Sequence, residues 1–119
     1  MLAERIELTS VQQATEVLDQ IGSNNSALMA TRGIFINVFV HQTPGELARA
    51  LKRVYNDIGA EVAISYEAYS EKQGAITDLI AMGTLYQHRE AMRILENNTD
   101  LLPVLQVIDN VIKSAPEAT

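Results

Sequence analysis

The chain has 119 residues, 15 acidic against 9 basic side chains, a formal net charge of −6 and no cysteine. That length suits one domain with a core of its own. The acidity argues against general nucleic-acid binding, and the missing thiols exclude disulfides and thiolate chemistry. No apolar run reaches the length of a membrane span, and the N-terminus lacks the basic-then-apolar build of a signal peptide. A cytoplasmic protein without membrane or nucleic-acid partners is therefore expected.

Residues 1–32 read as an N-terminal helix or arm. Ile6 and Leu8 alternate with polar neighbours, which allows a brief strand over Leu2 to Thr9. Ser10 and Gln13 have capping-box spacing, and Val11, Ala14, Val17, Leu18 and Ile21 mark a helix that Gly22 ends. Ser23 to Ser26 is a loop by composition, and Ala27 to Arg32 is either a helical turn or a lead-in to the next strand. This piece packs on a sheet or reaches a second subunit; periodicity does not choose between the two.

From Ile34 to Val40 the chain reads IFINVFV, rich in β-branched and aromatic residues. As a strand it puts Ile36, Val38 and Val40 on one face and Phe35, Asn37 and Phe39 on the other. With both faces largely apolar, a central strand, or one covered by a partner subunit, is expected rather than a solvated edge. A helical stripe through Leu28, Phe35 and Phe39 is the competing reading. Thr43-Pro44-Gly45-Glu46 then starts a helix, with Thr43 and Glu46 spaced as a capping box and Pro44 at the first helical position. Leu47, Ala50, Leu51, Val54, Tyr55 and Ile58 give it one apolar stripe, and Gly59 stops it.

Val62, Ile64 and Tyr66 alternate in a strand pattern, although Ala60, Ala63, Ile64 and Glu67 also allow a helix. Ile76, Leu79, Ile80 and Met82 fit a buried strand or a helix. Thr84 to Asn97 suggests a helix. Leu101, Val104, Leu105, Ile108, Val111 and Ile112 repeat at helical spacing, with Asp100 a fair N-cap. Residues 115–119 read as a disordered tail.

The stretch VFVHQTPGELARALKRVYNDIGAEVAISY is similar to the opening of an ACT domain, the small regulatory module of amino-acid metabolism. In that family a strand runs into a Pro-Gly-x-Leu turn, a helix, a glycine and a second strand. The resemblance covers about residues 33–113. It implies a turn at Glu71-Lys72-Gln73-Gly74, a third strand over AITDLIAMG, a second helix over HREAMRILENN and a last strand over LLPVLQVID. Two positions before the proline, where the family often carries an acid, this chain has Gln42. The implied fold is α+β, a ferredoxin-like β-α-β-β-α-β sandwich over 33–114 with an extra N-terminal helix. The alternative, from the period of the last segment, is a mostly α-helical chain.

The same turn carries the expected site. A helix N-terminus beside a strand end offers backbone N–H groups to a carboxylate. Gln42, Thr43, Gly45 and Glu46 are the expected ligand-binding residues, with His41 beside them. Gly45 would admit close backbone approach, and Thr43 and Gln42 would meet the ligand's polar groups.

No serine sits in a nucleophile elbow, and neither Gly33 nor Gly45 belongs to a phosphate-binding loop. His88 reads as part of a solvated helix face, and Glu67, Glu71 and Asp78 have no histidine to complete a metal site. The expectation is a non-enzymatic regulatory module that binds a small carboxylate such as an amino acid, needs no cofactor or metal, and forms a homo-oligomer. The alternative is a helical assembly or adaptor protein acting only through protein contacts.

Overall fold

The apolar alternation after Gly33 becomes the first strand of an antiparallel sheet in the computed structural model, which describes residues 1–113. Helices α1 (Val11–Gln20) and α2 (Ser26–Gly33) precede strand β1 (Phe35–Pro44). Then come α3 (Gly45–Asp57), β2 (Glu61–Ile64), the short α4 (Tyr66–Tyr69), β3 (Ile76–Thr84) and α5 (Leu85–Leu95). A 3₁₀ turn (Thr99–Leu101) leads into α6 (Leu102–Lys113). The expected tail at 115–119 lies outside the described residues.

The sheet order is β1-β3-β2, with both pairs antiparallel. The strand at the centre is therefore β3, and β1 is an edge, not the central strand its two apolar faces suggested. The two faces of β1 are unequal: Val38 and Val40 are buried and Ile36 half-buried, while Phe35, Asn37 and Phe39 are exposed. Among the described residues helices cover the first face only. Val38, Leu79, Ala81 and Val62 pack there against Leu51 and Tyr55 of α3, Leu85, Ala91 and Leu95 of α5, and Val104, Leu105 and Ile108 of α6.

The last segment follows its own period. Leu101, Val104, Leu105, Ile108 and Ile112 are buried along one side of α6 and its leading turn. An extended chain would turn half of them to solvent. Among the described residues the sheet has three strands, and the fourth strand implied over LLPVLQVID is not formed. Asp100 does not cap; Asn98 Oδ1 accepts from the N–H groups of Asp100 (3.1 Å) and Leu101 (3.3 Å). The sheet rules out an all-helical bundle, although helices hold more of the described residues than strands do. The architecture is α+β.

Local signals held at several helix ends. Ser10 Oγ accepts from Gln13 N–H at 3.0 Å. The returning Gln13 side chain takes the amide of Thr9, not that of Ser10. Gly59 (φ +85°) closes α3, with Gly59 N–H on Asn56 O and Ala60 N–H on Tyr55 O. No element forms before Ser10. The brief strand that Ile6 and Leu8 allowed has no neighbour to pair with.

Candidate functional site

The junction of β1 and α3 differs from the sequence expectation at its centre. Thr43 does not cap the helix; Pro44 is the N-cap and no side chain bonds the first turn. The reason is that β1 runs on through the turn, pairing Thr43 with Thr77 and Pro44 with Ile76, and this buries Thr43 against the sheet. Gly45 N–H donates to Ala75 O at 2.8 Å, so the first free amide of the helix is already used. A Cβ on Gly45 would lie 3.1 Å from that same oxygen. A side chain there would press on that carbonyl, so the strand–helix junction favours glycine.

Just before it the ladder breaks. The register between β1 and β3 shifts between Val40 and Thr43, and Gln42 sits at φ +50°. A non-glycine residue rarely adopts that conformation. It is held by a long-range bond from Gln42 N–H to Asp78 Oδ1 at 3.0 Å. Such bulges bend the strand and re-aim the side chains around them. His41 and Gln42 are exposed on this bulge, and the His41 ring lies 4.6 Å from that of Phe39.

The five expected residues fall into two clefts. His41, Gln42 and Thr43 line a groove of about 560 Å³ between β1 and α6. Its walls are Val38 to Pro44, Leu47, Pro103, Val104, Val107 and Val111, with no acidic or basic side chain other than the imidazole. Gly45 and Glu46 line a smaller cleft of about 270 Å³ with Arg49 and the 71–75 loop. There Arg49 Nη1 donates to Ala68 O at 2.7 Å, and its Nε stands 3.7 Å from the Glu71 carboxylate. The guanidinium of that cleft is committed to the chain itself.

Among the described residues nothing covers the second face of the sheet. Phe35 and Phe39 are 61% and 51% exposed, with half-buried Ile80 and Met82 beside them on β3.

His88 was expected on a solvated helix face, and it is instead fully buried. Its Nε2 lies 2.8 Å from Ile36 O, and its Nδ1 lies 2.7 Å from the Tyr55 hydroxyl. A carbonyl can only accept, so Nε2 carries the proton and Nδ1 accepts from Tyr55. Burial holds the imidazole below the ordinary histidine range, opposed by the backbone bonds to Ile36 and Gly83. Burial also raises the Tyr55 hydroxyl. The sequence held one signal for this: Leu85, His88, Ala91 and Leu95 share a helical stripe, and all four are buried.

Among the described residues no cluster of three or more His, Asp or Glu side chains is placed to hold a metal ion. Among the same residues no helix is long and apolar enough to cross a membrane. No protein-family model matches the chain, and comparison with curated proteins and with solved structures finds no match.

Proposed function

We propose that this chain is a non-enzymatic binding module, resembling an ACT domain, that takes a small carboxylate such as an amino acid and works as a homodimer. The observation that carries the reading is the bulge at His41–Gln42. A strained, positive-φ residue is held by Asp78 at the mouth of an apolar groove, and backbone strain of this kind collects at ligand sites. The imidazole and amide side chains supply polar contacts for the carboxylate. Val40, Pro44 and Leu47 beside the bulge take the ligand's apolar part. The helix N-terminus contributes little, because Gly45 N–H is spent on Ala75 O. The ferredoxin-like arrangement belongs to this proposal too, since the β1-β3-β2 order leaves room for a fourth strand at the free side of β1.

The test is thermal unfolding across the common amino acids. A ligand of the folded state raises the melting temperature in proportion to the logarithm of its concentration. Gln42→Gly relieves the positive φ and keeps the fold, yet removes the contact, so the protein should stay folded while the shift disappears. A full panel that moves nothing rejects the small-ligand reading.

A further inference from the structure

We infer that residues 2–7 of a second copy of this chain add to the free edge of β1 as a fourth strand. The inference goes beyond the ligand reading and stands without it, while giving the proposed homodimer a specific contact.

The two edges of the sheet are built differently. β2 is four residues long, and the outward backbone groups of Val62 are both taken within the chain. Its N–H donates to Glu61 Oε1 at 2.9 Å, and its carbonyl accepts from Lys52 Nζ at 2.8 Å. β1 is ten residues long. The bond from Leu85 N–H to Ile34 O sets the phase of its ladder. Ile36, Val38 and Val40 therefore turn their backbone groups to β3, and Phe35, Asn37 and Phe39 turn theirs outward. Among the described residues nothing meets that outward row. No charged side chain guards it from Phe35 to Val40, and the bulge comes only after Val40. An open edge of this kind is a template for another strand.

Alongside that edge runs the apolar wall of α6, with Val107 and Val111 each more than two-fifths exposed. A strand added here gains a ladder on one side and apolar contacts on one face. The N-terminal arm suits the place. Residues 1–9 belong to no element, and Leu2 and Ile6 are 100% and 58% exposed. In an extended arm both fall in one row with Glu4 between them, about 13 Å apart. The exposed Pro103 and Val111 are about 12 Å apart along α6, with Val107 between them. The root of the arm is fixed to its own subunit: Thr9 N–H donates to Gln13 Oε1 at 3.0 Å, Gln13 Nε2 donates to Glu7 O at 3.3 Å, and Leu8 covers Gly33. No arm residue lines the groove of its own chain. Reciprocal exchange closes a two-fold dimer, each arm completing the other sheet.

The chain lacks cysteine, so Ile6→Cys paired in turn with Pro103→Cys and with Val111→Cys, the two ends of the wall, reports on this contact alone. On mild oxidation of a mixture of tagged and untagged chains, a disulfide joining two chains is the expected product of one of the two pairs. A disulfide within one chain would mean that the arm folds back on its own sheet, and no disulfide from either pair would mean that it docks elsewhere; either overturns the inference. Light scattering of the native chain at micromolar concentration should give a dimer mass, and a monomer overturns it. Ile6→Asp lies outside the folded domain, cannot unfold it, and should weaken dimerisation at least about tenfold. A dimer unmoved by Ile6→Asp overturns the inference as well. Amino-acid panels run on Ile6→Asp report separately on the ligand reading, so the two fail independently.

Discussion

The Tyr55 hydroxyl donates to His88 Nδ1 across 2.7 Å, tying α3 to α5 beneath β1, while His88 Nε2–H donates onward to Ile36 O. The two rings meet edge-on, with centroids 5.4 Å apart. Both side chains are fully buried, so neither has water to fall back on. His88→Phe leaves the Tyr55 hydroxyl without an acceptor and should cost about 1–3 kcal/mol. Tyr55→Phe strands Nδ1 and should cost a similar amount. The double variant should cost clearly less than the sum of the two, because an orphaned polar group is worse than none. Urea unfolding of the four proteins measures the coupling; strict additivity would contradict it.

The same imidazole should make stability depend on pH. Burial lowers the folded-state pKa of His88, whereas an unfolded chain carries it near about 6.5. Above that value both states are neutral and the full stability is present. As pH falls through it the unfolded state binds a proton that the folded state refuses. Stability then drops by up to about 1.4 kcal/mol per pH unit until the folded pKa is reached. Glu61 and Glu90, whose carboxyls are held low by Lys52 and Arg93, lose their contributions only below the ordinary carboxylate range. Between those limits the slope belongs to His88, and denaturation of His88→Gln across pH should lose it.

A helix cap lies where the sequence analysis did not place one. Thr84 Oγ accepts from Gln87 N–H at 3.0 Å, and Gln87 Oε1 accepts from Thr84 N–H at 2.9 Å, a complete capping box on α5. Thr84→Ala should cost about 1 kcal/mol. Thr43→Ala removes no cap, since none is made at the start of α3. Its effect should be confined to packing. Equilibrium unfolding of the two variants compares them directly.

Lys52 guards the closed edge. Its ammonium bonds Val62 O at 2.8 Å and Glu61 Oε1 at 2.6 Å. The partly buried bond to the carbonyl is worth about 1 kcal/mol, and the pair with the exposed Glu61 adds little. Lys52→Met should therefore cost about 1 kcal/mol and let the Glu61 carboxyl titrate closer to its ordinary value. It should also raise self-association, by freeing an edge carbonyl. An NMR titration of Glu61, with sedimentation of the variant, checks both halves.

What the sequence determined by itself was local. The stripe from Leu47 to Ile58 and Gly59 fixed α3, the Leu101–Ile112 period fixed α6 against the strand that the family resemblance implied, and the Ile34–Val40 alternation divided β1 into its two faces. Each is set by neighbours within a few residues, where side-chain period and backbone preference act alone. Tertiary structure decided the rest. Whether β1 sits at the centre or the edge depends on β3, forty residues away in the chain. Thr43 lost its cap because the ladder to Thr77 extended one step further than the turn residues suggested. Gln42 took a left-handed conformation because Asp78, across the sheet, bonds its amide. His88 went inside because Tyr55 and the Ile36 carbonyl were there to satisfy both ring nitrogens, and a polar group is buried only where such partners meet it. The groove beside His41 exists for the same reason: α6 and β1 meet in space, and no local pattern records that they do.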